Sequence, residues 1–158
     1  MSLDSPQPIN IDTTGFRFGI VASRFNQTLV DALIKDATNY LNNNGVSSDC
    51  IEIIRVPGSY EIPFMINRLA VTKNYNCLIA LGLLIKGDTQ HHSIVGESVT
   101  GALLNISIQQ DIPVINGVVI TESNQQAKDR CTGDIKRGGE FAQVAIEMAE
   151  LSKGEQNS

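Results

Sequence analysis

Apolar and polar positions along this chain switch repeatedly between the period of a strand and that of a helix. Phe16 to Ala22 is a short, mostly apolar run of the kind that forms a strand. From Gln27 to Asn44 the apolar positions are Leu29, Val30, Leu33, Ile34, Ala37 and Leu41, which is helical spacing. Asn26 stands where an N-cap belongs, and Gly45 where a helix-ending glycine belongs. The pattern then recurs. Cys50 to Val56 is β-branched and strand-like, Pro57-Gly58 punctuates it, and Pro63 suits the first turn of a second helix. Asn76 to Leu84 is a near-continuous apolar run, expected of a strand buried on both faces. Thr89 to Gln110 carries Ile94, Val95, Val99, Ala102, Leu103 and Ile106 at helical spacing. Pro113 to Ile120 predicts a fourth strand and Ser123 to Cys131 a short polar helix. Beyond Gly138-Gly139, Phe141, Ala142, Ala145, Ile146 and Ala149 mark a terminal amphipathic helix.

Strands that alternate with helices predict an α/β fold in three layers, with a flavodoxin-like four-stranded parallel sheet, right-handed crossovers and helices on both faces. Residues 1–15, with Pro6, Pro8, Gly15 and a short Ile9-Asn10-Ile11 alternation, read as an N-terminal arm. Residues 16–158 read as a single domain, the arm packing on a neighbouring subunit. Ligands of such sheets bind beyond the carboxyl ends of the strands. The loops that matter therefore begin at Ser23, Pro57, Ile85 and Thr121.

Charge narrows the partners. Lys and Arg number 12 against 17 Asp and Glu, a formal net charge of −5. A basic footprint for nucleic acid or anionic membrane is missing. A small anionic substrate stays open, because it needs only a local cluster of donors. Cys50, Cys77 and Cys131 are odd in number and lack CxxC spacing, so neither a disulfide framework nor a zinc site is expected. With no basic or apolar signal segment at the N-terminus, the expected setting is reducing and cytoplasmic. The longest apolar run, Leu78 to Ile85, is too short to cross a bilayer.

Four loops carry candidate chemistry. In the first, Phe25 can stack on a planar ring with Asn26 beside it, or merely cover a helix end that Asn26 caps. In the second, Val56-Pro57-Gly58-Ser59-Tyr60-Glu61-Ile62-Pro63, Gly58 allows close backbone approach. Glu61 there offers two acceptor oxygens, or simply sits well at a helix start. In the third, Gly87-Asp88-Thr89 precedes a helix, so free backbone N–H groups and the Thr89 hydroxyl can hold a phosphate. Gly82 to Thr89 imitates a nucleotide P-loop, but Asp88 replaces its essential lysine and reverses the charge. His91, expected one turn into that helix, can move protons near neutral pH or lie idle on the surface. In the fourth region Asn116 interrupts the strand, and Arg130 can grip phosphate bidentately or pair with Asp129 or Glu122.

Taken in order, these segments resemble the 6,7-dimethyl-8-ribityllumazine synthases of riboflavin biosynthesis, from about Gly15 to Leu151. The resemblance rests on Arg24-Phe25-Asn26, Val56 to Pro63, Leu84-Ile85-Lys86-Gly87-Asp88-Thr89 with His91, Pro113-Val114-Ile115, and Thr121-Glu122 with Gln126-Ala127 and Arg130. It implies condensation of 5-amino-6-ribitylaminouracil with 3,4-dihydroxy-2-butanone 4-phosphate, releasing phosphate and water without metal or organic cofactor. By position it implies Phe25 and Asn26 at the pyrimidine ring, and Ser59, Tyr60 and Glu61 at the ribityl chain. It further implies Leu83, Leu84, Ile85, Lys86 and Asn116 around the ring, and Gly87, Asp88, Thr89, Arg130 and Arg137 at the phosphate. His91 would transfer protons. Arg130, Asn116 and Arg137 would come from the adjacent copy in a pentamer or a pentamer-based shell. The chain departs from the family pattern at His92, where an aromatic is usual, and at Asn116, where phenylalanine is common. The segment before Gly138 is about one residue shorter, and Arg137 replaces a lysine. An archaeal-type riboflavin synthase and a non-catalytic lumazine- or flavin-binding shell protein are the competing expectations.

Overall fold

The computed structural model describes residues 4–156, so both ends of the expected 1–158 span lie just outside it. The chain runs β1 (Phe18–Ser23), α1 (Gln27–Asn43), β2 (Ile51–Val56), α2 (Ile62–Thr72), β3 (Cys77–Ile85), α3 (His91–Gln110), β4 (Val114–Thr121), α4 (Asn124–Cys131) and α5 (Arg137–Gln156). Single 3-10 turns at Ser48–Cys50 and Ser59–Glu61 precede β2 and α2. The sheet is parallel throughout, in the order β2-β1-β3-β4. This is the expected three-layer α/β/α, flavodoxin-like architecture.

Each inner strand serves two cores, which is why its sequence is apolar without alternation. Phe18, Ile20 and Ala22 of β1 and Cys77, Ile79, Leu81 and Leu83 of β3 meet α1, α4 and α5 on one face. Val21, Leu78 and Ala80 meet α2 and α3 on the other. α1 buries Val30, Leu33, Ala37 and Leu41, the inner stripe of the predicted set. It ends as its sequence requires. The Val46 N–H reaches the Leu41 carbonyl and the Gly45 N–H that of Asn42, with Gly45 at φ 91°. Only a residue tolerant of left-handed φ closes this pattern cheaply.

The differences from expectation sit at element ends. Pro63 occupies the first turn of α2 as predicted. α3 begins at His91 and not at Thr89, so His91 opens the helix instead of lying one turn inside it. α5 begins at Arg137, ahead of the two glycines. Gly138 lets that end lie against α1; a Cβ there would come within 2.3 Å of the Leu33 carbonyl oxygen. In the single chain the described part of the arm lies on α5 and α1. Ser5 donates to the Glu140 carboxylate, the Pro6 carbonyl accepts from Gln143, and Thr13 donates to the Asn44 carbonyl.

Candidate active site

β1 leads to β2 on one side of the sheet, and β2 leads back past β1 to β3. The order therefore reverses between β1 and β3, and a crevice opens beyond their carboxyl ends. A cleft of about 670 Å³ lies there, within the range of small-molecule sites. Its walls are the segment after β1, the turn after β2, the end of β3 and the first turns of α3.

The first wall is Phe25, 71 % exposed with its ring against Gly58. Such exposure of an aromatic in a concave site offers a stacking face rather than a cover for the helix end. Asn26 does not cap α1 with its side chain. It adopts φ 56°, ψ 42°, a conformation that asparagine tolerates better than most residues. Its backbone carbonyl accepts from Leu29 and Val30, and its side-chain amide crosses to donate to the Leu83 carbonyl at 3.0 Å. One residue thus starts the helix and ties the β1 loop to β3.

The second wall is the 3-10 turn. The Glu61 carboxylate accepts from the Gly58 N–H at 2.8 Å through Oε2, leaving Oε1 without a protein donor among the described residues. Tyr60 is two-thirds exposed, while Ser59 is buried over Gly82. A Cβ at Gly82 would sit 2.5 Å from the Ser59 hydroxyl, so β3 can pass beneath the turn only as glycine. Leu83, Leu84 and Ile85 form the apolar floor.

The third wall carries Gly87, Thr89 and His91. Among the described residues the N–H groups of Gly87, Asp88, Thr89 and Gln90 have no protein acceptor, and the His91 N–H reaches only the Thr89 hydroxyl, at 3.4 Å. These donors precede a twenty-residue helix, whose dipole favours an anion at its start. His92, Ile94, Val95 and Ser98, which sequence did not assign to the site, also line the cleft. His91, Ile94, Val95 and Ser98 follow the i, i+3, i+4, i+7 rule and could have been read as one helix face.

Five expected residues stay outside the cleft wall of the single chain. Lys86 is exposed and its ammonium holds Glu122 at 2.8 Å instead of joining the ring pocket. That contact raises the Lys86 pKa and lowers that of Glu122. Asp88 is exposed and makes no capping bond among the described residues. Asn116, on the outer strand β4, bonds Thr100 and the Val118 N–H. Arg130 makes no ion pair with Asp129 or Glu122; its guanidinium donates to the Gln126 carbonyl at 3.3 Å. Arg137 is largely buried against Glu140. Among the described residues no group of three His, Cys, Asp or Glu side chains could hold a metal ion.

Comparison with known proteins gives the family. The family profile described as 6,7-dimethyl-8-ribityllumazine synthase matches residues 15–153. A protein of that name from Xanthomonas euvesicatoria pv. vesicatoria (strain 85-10) is 39% identical over 139 residues, 87% of this chain and 90% of the relative. One from Xylella fastidiosa (strain 9a5c) is 39% identical over 138 residues, with the same coverage. One from Xanthomonas oryzae pv. oryzae (strain PXO99A) is 39% identical over 136 residues, 85% of this chain and 88% of the relative. The matched span begins just before β1 and ends inside α5, so it takes in every wall of the cleft, and the chain belongs to the 6,7-dimethyl-8-ribityllumazine synthase family.

Proposed function

We propose that the protein condenses 5-amino-6-ribitylaminouracil with 3,4-dihydroxy-2-butanone 4-phosphate to 6,7-dimethyl-8-ribityllumazine, a transferase step of riboflavin biosynthesis. The observation that carries this is one cleft joining a stacking aromatic, a carboxylate with a spare oxygen, a row of unused N–H donors and a histidine. Phe25 stacks on the pyrimidine, with Asn26 holding the loop against Leu83. Ser59, Tyr60 and Glu61 take the ribityl hydroxyls, and Leu83, Leu84 and Ile85 pack the ring. Gly87 and Thr89 receive the phosphate, and Asp88 contributes by its backbone alone.

The chemistry follows from the substrates. The 5-amine adds to the ketone and loses water to give an imine. Loss of a proton then expels phosphate and leaves an enol, which tautomerises to a ketone; the ribitylamine nitrogen adds to that carbonyl, and departure of a second water completes the product. Each stage moves a proton, and His91 at the mouth of the phosphate loop is placed to carry it. Much of the acceleration comes from holding two substrates together. A phosphate site beside His91 favours this reaction over dismutation of the lumazine, whose substrate carries no phosphate, and over a shell protein without catalysis.

Among the described residues no guanidinium lines the cleft, and in this reading Arg130, Asn116 and Arg137 act from an adjacent copy in a pentamer or pentamer-based shell. Exposed Phe64 and Val71 on α2, and Leu104 and Ile108 on α3, support such burial between copies. The three free thiols suit a cytoplasmic setting. No helix of the described residues is long and apolar enough to cross a membrane. The test is to supply both substrates and follow product absorbance with phosphate release. A rate no greater than the spontaneous one overturns the proposal.

A further inference from the structure

His92 is a cleft residue that the proposed reaction leaves idle. Its side chain is only 11% exposed, and its Nδ1 is buried without a hydrogen-bond partner. Its Nε2 lies 3.9 Å from Glu122 Oε1, too far for a hydrogen bond. The other oxygen of the same carboxylate holds Lys86 Nζ at 2.8 Å. The backbone of Glu122 is anchored, because its N–H donates to Gln126 Oε1 at 2.9 Å at the start of α4.

Lys86 and His92 flank the segment Gly87–His91. One carboxylate, mounted at the end of β4, therefore faces both ends of the loop that supplies the N–H donors and His91. We propose that His92 is a positioning residue: protonated, it closes on Glu122 and, with Lys86, clasps the loop and the first turn of α3 in the geometry the reaction needs. A neutral imidazole has little attraction for the carboxylate across this gap, whereas an imidazolium forms a partly buried ion pair. The other titratable and charged groups on the elements that meet here are Lys86 and Asp88 in the segment after β3, His91 and Glu97 on α3, Lys128, Asp129 and Arg130 on α4, and Glu61 across the cleft.

This inference rests on the proposed reaction, and the experiment separates the two. His92→Phe keeps the bulk of the ring and removes its charge, and Glu122→Gln removes the carboxylate. Steady-state rates of the wild type, both single variants and the double variant are measured at pH 6 and pH 8.5, varying each substrate in turn. At pH 6 His92→Phe should lower kcat roughly five- to tenfold, with KM for the pyrimidine within about twofold. The two substitutions together should cost little more than either alone. At pH 8.5 their effects should simply multiply. Thermal melting checks that each variant folds; should His92→Phe fail, His92→Gln takes its place. An active wild type whose kcat is indifferent to His92→Phe, or a coupling identical at the two pH values, overturns the clasp. A wild type with no activity overturns the reaction and the clasp with it.

Discussion

Asn26 shows how much one side chain can carry in this protein. Its left-handed backbone costs an ordinary residue about 1–2 kcal/mol, and its amide adds a cross-link from the β1 loop to β3. Asn26→Ala should therefore destabilise the fold by about 1–3 kcal/mol in urea unfolding. Asn26→Gly, which restores backbone freedom but not the amide bond, should lose less. Equal losses would show that backbone conformation is unimportant here. His91 belongs to the same scale but to chemistry. His91→Ala should reduce kcat by about 10²-fold or more and leave KM for each substrate within a few-fold. An unchanged kcat would remove it from proton transfer. Arg130→Ala should raise KM for the butanone phosphate far more than for the pyrimidine, and equal rises would make its role structural. Phe25, Glu61 and His91 were legible in sequence because their loops could be placed at strand ends. Asn26 is legible as the residue that starts α1, but sequence does not report φ, so neither its left-handed backbone nor its bond to Leu83 can be read from it. Lys86 was read as a wall residue because nothing local shows that Glu122, at the end of another strand, faces it.

At the scale of elements, close approaches set the geometry. Gly138 and Gly139 look equivalent in sequence, yet only Gly138 touches the backbone of α1. Gly138→Ala should cost about 1–3 kcal/mol, because a carbonyl oxygen cannot swing away as a flexible side chain does. The Gly139 Cβ would meet nothing nearer than 3.7 Å, so Gly139→Ala should be neutral or stabilise by up to about 1 kcal/mol through helix propensity. Thermal unfolding of the pair decides it, and equal effects would mean that α5 does not sit this close to α1. α3 is the other informative element. Its buried face carries Val95, Val99 and Leu103, but Ile94, Leu104 and Ile108 on other faces are exposed. Leu104 and Ile108 form a second apolar stripe on an otherwise polar outer face that includes Glu97 and Asn105, and burial against another surface would cover it. Helical spacing in the sequence predicted the buried stripe and left the second one unexplained.

At the scale of the whole molecule the proposed assembly can be tested directly. Light scattering should give a mass of five chains or a multiple of five, and Leu104→Glu with Ile108→Glu should shift it toward smaller species. Shared sites have a sharper signature. His91→Ala and Arg130→Ala variants, each nearly inactive, should recover activity when unfolded and refolded together, since some sites then combine an intact His91 with an intact Arg130 from the next copy. No recovery would mean that both residues serve a site within one chain.

The chain alone determined the layering, the parallel sheet and the loops that hold the chemistry. Local periodicity and strand-end logic report burial on one face or two, and these follow from nearest neighbours in sequence. Tertiary structure decided what depends on distant segments: the crossing of Asn26 to Leu83, the clearance that only glycine gives at positions 82 and 138, and the start of α3 at His91. It also decided that Glu122, remote in sequence from the phosphate loop, stands against Lys86 and His92 at its two ends. Such contacts arise where separate strands end side by side, and no spacing along the chain encodes them.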